Sequence, residues 1–193
     1  MGKTAWIIIV VLIVAAIMSI SKYNTMVGME ESVSEQWANV ETQYQRRADL
    51  IPNLVSTVKG YAAHEKDVFE SVTKARASAT SIKIDASNLT AENIKKFQAA
   101  QGSLNSSLGR LLAVAERYPD LKANQNFLEL QAQLEGTENR IAVERRRFNE
   151  QVKFYNTYIR KFPSNLVASM FGFEKQVTFD ADEGAEKAPD VQF

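Results

Sequence analysis

The chain has 193 residues, 45% of them apolar, and its 23 basic and 23 acidic side chains leave no net formal charge. That length fits one ordinary domain with short appendages, and the balanced charge argues against a nucleic-acid binder, which needs a clustered excess of Lys and Arg. With no cysteine and a single histidine, His64, the chain excludes disulfides, a thiolate nucleophile and Cys-based metal centres, and leaves little for a His-based site or a Ser-His-Asp relay.

The first element is an unbroken apolar run, Ala5 to Met18, inside a charge-free stretch from Thr4 to Ser21 that Lys3 and Lys22 bracket. In helical form this stretch reaches ~27 Å, the short end of what a bilayer span requires. Two lysines able to snorkel and Trp6 near one end make up the difference. Residues 1–22 are therefore read as a membrane anchor, in contact with lipid through residues 4–21. A cleaved signal peptide is the competing reading, because Ser19 and Ser21 have the small-residue spacing of a cleavage site. The run merges into a polar helical pattern with no glycine or proline between, which favours retention. A short basic N-terminus is the pattern of a signal anchor, which places the rest of the chain outside the cytoplasm.

Residues 23–173 carry the helical periodicity of a bundle. Met26, Val33, Trp37, Val40, Tyr44 and Ile51 share one face, with Glu30 in the one polar gap, so the membrane helix is expected to continue as a stalk. Pro52 interrupts RRADLIPNLV. Either Asp49 caps a new helix, or the helix runs through, bends, and frees a carbonyl between Gln43 and Ala48; preserved register favours the second. The stripe resumes through Leu54, Val58, Tyr61, Ala62, Val68, Phe69, Val72 and Ala75. It fades into a loop at Thr80 to Glu92, where Thr90 offers an N-cap hydroxyl for a third helix running from Ile94 to Ala115. Pro119 stops that helix at Tyr118. A last helix from Asn126 to Lys161, on the order of 50 Å long, carries Phe127, Leu134, Ile141, Phe148, Val152, Tyr155 and Ile159. The fold class is all-α: an N-terminal transmembrane helix continuing into an antiparallel bundle of three to four long helices, with an extended acidic tail over residues 174–193.

Glu138 and Arg145 interrupt the apolar stripe of the last helix, flanked by Arg147, Asn149 and Asn156. Charges on a buried face need complements, and Arg46, Arg47, Asp49, Arg76 and Glu116 are the candidates. A di-metal carboxylate site needs two Glu-x-x-His pairs, which one histidine cannot supply, so a register-fixing polar network is the expected role and no metal, cofactor, catalytic residue or small-molecule substrate is expected. Arg46 and Arg47 are read as partners of bundle carboxylates and of the helix bend. The apolar segment SNLVASMFGF either caps the bundle, the favoured reading, or lies in a membrane interface, with Phe171 and Phe173 as candidate interaction residues. Phe179, Val191 and Phe193 in the tail are further candidates, since APDVQF resembles peptides that strand-addition pockets capture.

YNTMV, QWANVETQYQRRADLIPNLVSTVKGYAAHE, AERYPDLKANQNFLELQAQLEGTENRIAVERRRFNEQVKFYN and the closing PDVQF resemble the LemA family of bacterial membrane proteins, in order and at family-like spacing. The family pattern falls on Arg47, Asp49, Leu50, Pro52, Asn53 and Leu54, on Tyr118, Pro119, Leu121 and Asn124, and on Glu138, Arg145, Asn149, Tyr155 and Asn156. The resemblance implies a single membrane helix, a long-helix bundle and no known reaction, with a role in membrane organisation or assembly. The expectation is a single-pass protein of the bacterial inner membrane acting as a non-enzymatic scaffold, with a homo-oligomer or another membrane protein as partner. An adaptor that recruits a membrane protease or signalling protein through its tail is the alternative.

Overall fold

Every regular element among residues 2–179, the residues described by the computed structural model, is helical. The first helix, α1, runs from Lys3 to Tyr61 without a break, 59 residues in all, so it is ~88 Å long. None of its most apolar 18-residue window is buried, and that part is long and apolar enough to cross a membrane. From Met26 onward the same helix turns one face inward, burying Met26, Val33, Trp37, Val40 and Tyr44. Stalk and span are thus one rod.

After α1 come α2 (Lys66–Ser81), a 3-10 turn at Ala86–Asn88, α3 (Ala91–Ala115), the short α4 (Pro119–Lys122), α5 (Gln125–Arg160) and α6 (Ser164–Phe171). The packing of α1 along α5 and of α2 against α3 is antiparallel: Trp37 meets Phe148, and Arg47 meets Glu138 nearer the far end. As expected, the Thr90 hydroxyl caps α3 by accepting from the Asn93 amide at 3.2 Å; α3 ends at Ala115, and Pro119, read as a stop, also opens the short α4. Asn124 caps α5 by accepting from the Phe127 amide at 3.0 Å and donates to the Tyr61 hydroxyl at 2.9 Å, tying that start to the end of α1.

One boundary differs from the periodicity reading. The stripe from Leu54 to Ala75 reads as one helix, but the structure turns a corner inside it at Ala62–Glu65. Neither proline nor a left-handed glycine marks it, and Ala62 closes α1 at φ −124° and ψ 48° with its amide bonded to the Val58 carbonyl. The apolar stripe continues in phase through Ala62 to Phe69, so hydrophobic spacing alone reads as one helix.

The core has two apolar clusters stacked along the bundle. The one nearer the span gathers Trp37, Tyr44, Phe97, Ile141, Phe148, Val152 and Tyr155. The distal one gathers Ile51, Leu54, Val58, Val72, Leu104, Leu111, Phe127 and Leu134. Between Tyr44 and Ile51 on α1, Phe97 and Leu104 on α3, and Leu134 and Ile141 on α5 lies a polar layer.

Candidate functional site

Arg47 is the centre of that layer. It is 2% exposed; one terminal nitrogen donates to Glu138 Oε1 at 2.7 Å, the other donates to the buried Gln101 Oε1, and the guanidinium lies over the Tyr44 ring at 5.2 Å. One side chain therefore joins α1, α3 and α5. Its Nε and the Gln43 Oε1 are buried without a hydrogen-bond partner. A half-satisfied buried charge adds little stability over an apolar replacement but is costly to mispair.

The expected continuous helix through Pro52 is present, and the proline explains an adjacent contact. A ring nitrogen at position 52 cannot donate to the carbonyl four residues back, Ala48 O. Arg76 of α2 supplies the missing donor, with its Nε 2.7 Å from that oxygen. This corrects the expectation that Arg46 serves the helix bend: Arg46 is exposed and lines an open groove of about 1020 Å³ that Glu41, Asp49 and Asp85 share. Adjacent helix positions point about 100° apart, so only one of the two arginines can enter the core. Asp49 is exposed and accepts from Gln45 at 2.8 Å, so it caps no helix, and Asn53 is also exposed. Glu116, another expected complement, instead pairs with Lys122 on the surface at 2.5 Å.

Glu41 lines the same groove, with Asp49, Lys83 and Asp85 nearby. Burial raises its carboxyl above the usual carboxylate range and Asp85 adds to the rise, while hydrogen bonding with Trp37 and the Ile84 backbone opposes it. Among the described residues no three His, Asp or Glu side chains gather to hold a metal. His64 sits exposed in the turn before α2.

A second constellation on α5 comes from Arg145, Asn149 and Asn156. The Asn156 amide holds both backbone groups of Gln176, accepting from its N–H at 2.9 Å and donating to its carbonyl at 2.8 Å. Asn149 holds Phe179 in the same way, at 2.9 and 3.1 Å. Seven residues of helix rise ~10.5 Å and three residues of extended chain cover ~10 Å, so the two amides match the tail segment in length. Phe179, 4% exposed, drops into the core. It stacks on Trp37 at 5.7 Å, meets Phe148 edge-on at 5.4 Å, and lies under the Arg145 guanidinium at 5.1 Å.

Phe179 is therefore an internal anchor and not an outward-facing residue. Sequence reading placed it in an extended tail; the signal for its docking was the pair of asparagines two turns apart beside the apolar seam. Val191 and Phe193 lie outside the described residues. Tyr155 is fully buried with no hydrogen-bond partner for its hydroxyl, and burial, with Glu30 and Glu174 nearby, pushes that hydroxyl up to about 12.

Near the exposed apolar part of α1, α6 folds back after a cis Phe162-Pro163 bond and packs Val167 and Ala168 inward. Its end is set by Gly172 at φ 77°, a left-handed position where the Phe173 amide returns to the Ala168 carbonyl at 3.0 Å. Phe171 is 54% exposed and Phe173 half-buried; both rings meet Tyr23 of α1 edge-on, at 4.9 and 5.5 Å.

Residues 36–193 match the sequence profile of the LemA family. The chain is 29% identical to magnetosome protein MamQ 2 of Paramagnetospirillum magneticum over 194 aligned residues, covering 91% of this chain and 71% of the relative. It is 29% identical to MamQ of Magnetospirillum gryphiswaldense, covering 87% and 68% of the two chains, and 21% identical to protein LemA of Metamycoplasma hominis, covering 85% and 71%. With the profile matched from Gln36 through the polar layer and the asparagine pair to the tail, the chain belongs to the LemA family.

Proposed function

We propose that this protein is a non-enzymatic, membrane-anchored scaffold of the bacterial envelope that works by self-association. Its single pass lies in the inner membrane and its bundle on the extracytoplasmic side. The observation that carries this reading is the unbroken α1, which passes from a fully exposed apolar span into the centre of the bundle core. A chain built this way holds a rigid body at a fixed height over the bilayer, as assembling units require. Its polar residues support the same reading: Arg47, Glu138, Asn149 and Asn156 are engaged in holding the chain's own helices and tail. The relatives named as magnetosome proteins are consistent with work at a membrane. Identical rods with a heterologous contact between neighbours form rings or arrays parallel to the membrane. The test is the mass of full-length protein extracted in mild detergent, measured by light scattering over a wide concentration range. A defined oligomer is expected, and a strict monomer at every concentration would refute self-association.

The adaptor reading has one observation in its favour. The asparagine clasp holds Phe179, the residue after which the candidate recognition sequence with Val191 and Phe193 follows, at the level of Trp37. Deleting residues 188–193 abolishes partner pull-down if this reading holds, and unchanged pull-down removes it.

A further inference from the structure

We propose that the outward face of α6 is a second membrane contact, seated in the interfacial layer of the bilayer that α1 crosses. This inference rests on anchoring by α1 and not on the scaffold reading.

The exposed apolar side chains here are Leu166 and Met170 on the outward side of α6, Phe162 just ahead of the helix and Phe171 at its last position beside Tyr23, at 60%, 66%, 81% and 54% exposure; Asn165 and Ser169 are exposed on the same outward side as Leu166 and Met170. The opposite side of the same helix is already used, with Ser164, Val167 and Ala168 buried in the bundle. Phe162, Leu166 and Met170 thus hold apolar surface out of the bundle, where water gives it no partner.

Its height decides what covers that face. The charge-free stretch ends at Ser21, and α6 touches α1 immediately beyond it, through the Tyr23 contacts of Phe171 and Phe173. The next basic residue, Lys22, holds its ammonium 5.3 Å from the Tyr158 ring, at the foot of α5. The apolar face thus begins where the span leaves hydrocarbon, in the layer where aromatic rings and snorkelling lysines concentrate.

The charges agree with this placement. No acidic residue occurs from Lys161 to Phe173, and of the exposed charges that flank the segment three are basic, Arg160, Lys161 and Lys175, against one acid, Glu174, a balance suited to lipid phosphates. The area points the same way: four side chains at these exposures present on the order of 500 Å², short of the ~800 Å² per partner of a standard protein interface. That is enough to seat a short helix in the headgroup and acyl boundary. The consequence is mechanical, because two contacts on different elements fix the tilt of the bundle as well as its height.

The cysteine-free chain makes the test direct. Full-length protein carrying one of I13C, M170C or S103C is labelled with a polarity-sensitive fluorophore and reconstituted in phosphatidylcholine/phosphatidylglycerol vesicles. Quenching is read with nitroxide lipids labelled shallow or deep in the acyl chain, and with aqueous iodide. The label at 13 should be quenched by the deep nitroxide. The label at 170 should be quenched by the shallow one and be several-fold less accessible to iodide than the label at 103, which no lipid should quench. If 170 behaves like 103 while 13 is quenched, the α6 contact is wrong and the anchor stands. If 13 is not quenched by lipid, the anchoring reading fails and this proposal with it. A label at 170 that is shielded from iodide but untouched by nitroxide lipid, and re-exposed when lipid dilutes the protein, assigns the face to a second copy and overturns the proposal.

Discussion

Replacing Phe179 with alanine should detach the tail without unfolding the bundle. Burying a phenylalanine side chain contributes ~2–3 kcal/mol, and the ring contacts with Trp37 and Phe148 add ~0.5–1.5 kcal/mol each. The Arg145 guanidinium over the ring adds ~0.5–1 kcal/mol. These contributions add to ~3.5–7 kcal/mol, overlapping the ~3–5 kcal/mol usual for a buried Phe→Ala change, and the loss exceeds what four hydrogen bonds to two asparagines retain at ~1 kcal/mol each net once the segment's ordering entropy is counted. The effect is local because Gln176 and Phe179 are held by α5 side chains and not by a helix ladder. The assay is amide hydrogen exchange at residues 176 and 179, combined with Trp37 fluorescence in a W6F background that leaves one tryptophan. Both amides should lose protection and the emission should shift to the red, while amides of α5 near Phe148 stay protected. Protected tail amides and unchanged Trp37 emission in F179A would refute the clasp as the source of order; global loss of protection would refute its locality.

The polar layer gives the next test: R47M leaves Gln101 and Glu138 without their donor and should cost ~2–4 kcal/mol in denaturant unfolding, with much of the loss recovered in R47M/E138L. R76A strips the Ala48 carbonyl of its replacement donor and should cost ~1–2 kcal/mol. In P52A/R76A the restored N–H at position 52 should make R76A cheaper than in the parent, and a strictly additive double mutant would contradict the assignment. Y155F removes a buried hydroxyl that lacks a partner, so stability should hold or rise by ~1 kcal/mol. Because the folded state holds the Tyr155 proton up to about 12 against an unfolded value near 10, the folded protein binds more protons in that window, and stability should fall as pH rises from 10 to 12. Y155F should flatten that part of the pH profile.

What the sequence disclosed followed from how local the cause was. The apolar steps of α1 and α5, the Thr90 cap and the Pro119 stop depend on residues within a turn or two, and each lies where local chemistry puts it. The corner at Ala62–Glu65 has no such marker and was invisible to periodicity. Partner choice in the polar layer was half legible: Arg47 and Glu138 were both singled out, but the donor to the carbonyl freed by Pro52 comes from Arg76, 28 positions from Ala48, not from neighbouring Arg46. Tail docking was hidden because Asn149 and Asn156 look like ordinary flanking amides until an extended segment 20 to 30 positions away lies against them.

The claim that membrane span and bundle are one rigid rod is tested most directly by a single distance. Spin labels at I20C and R46C, both exposed on α1, are separated by 26 residues and so by ~39 Å of continuous helix. Electron–electron double resonance on full-length protein in nanodiscs should give one narrow distribution centred near that value. A broad distribution, or one centred well short of it, would place a hinge between anchor and bundle and contradict the account.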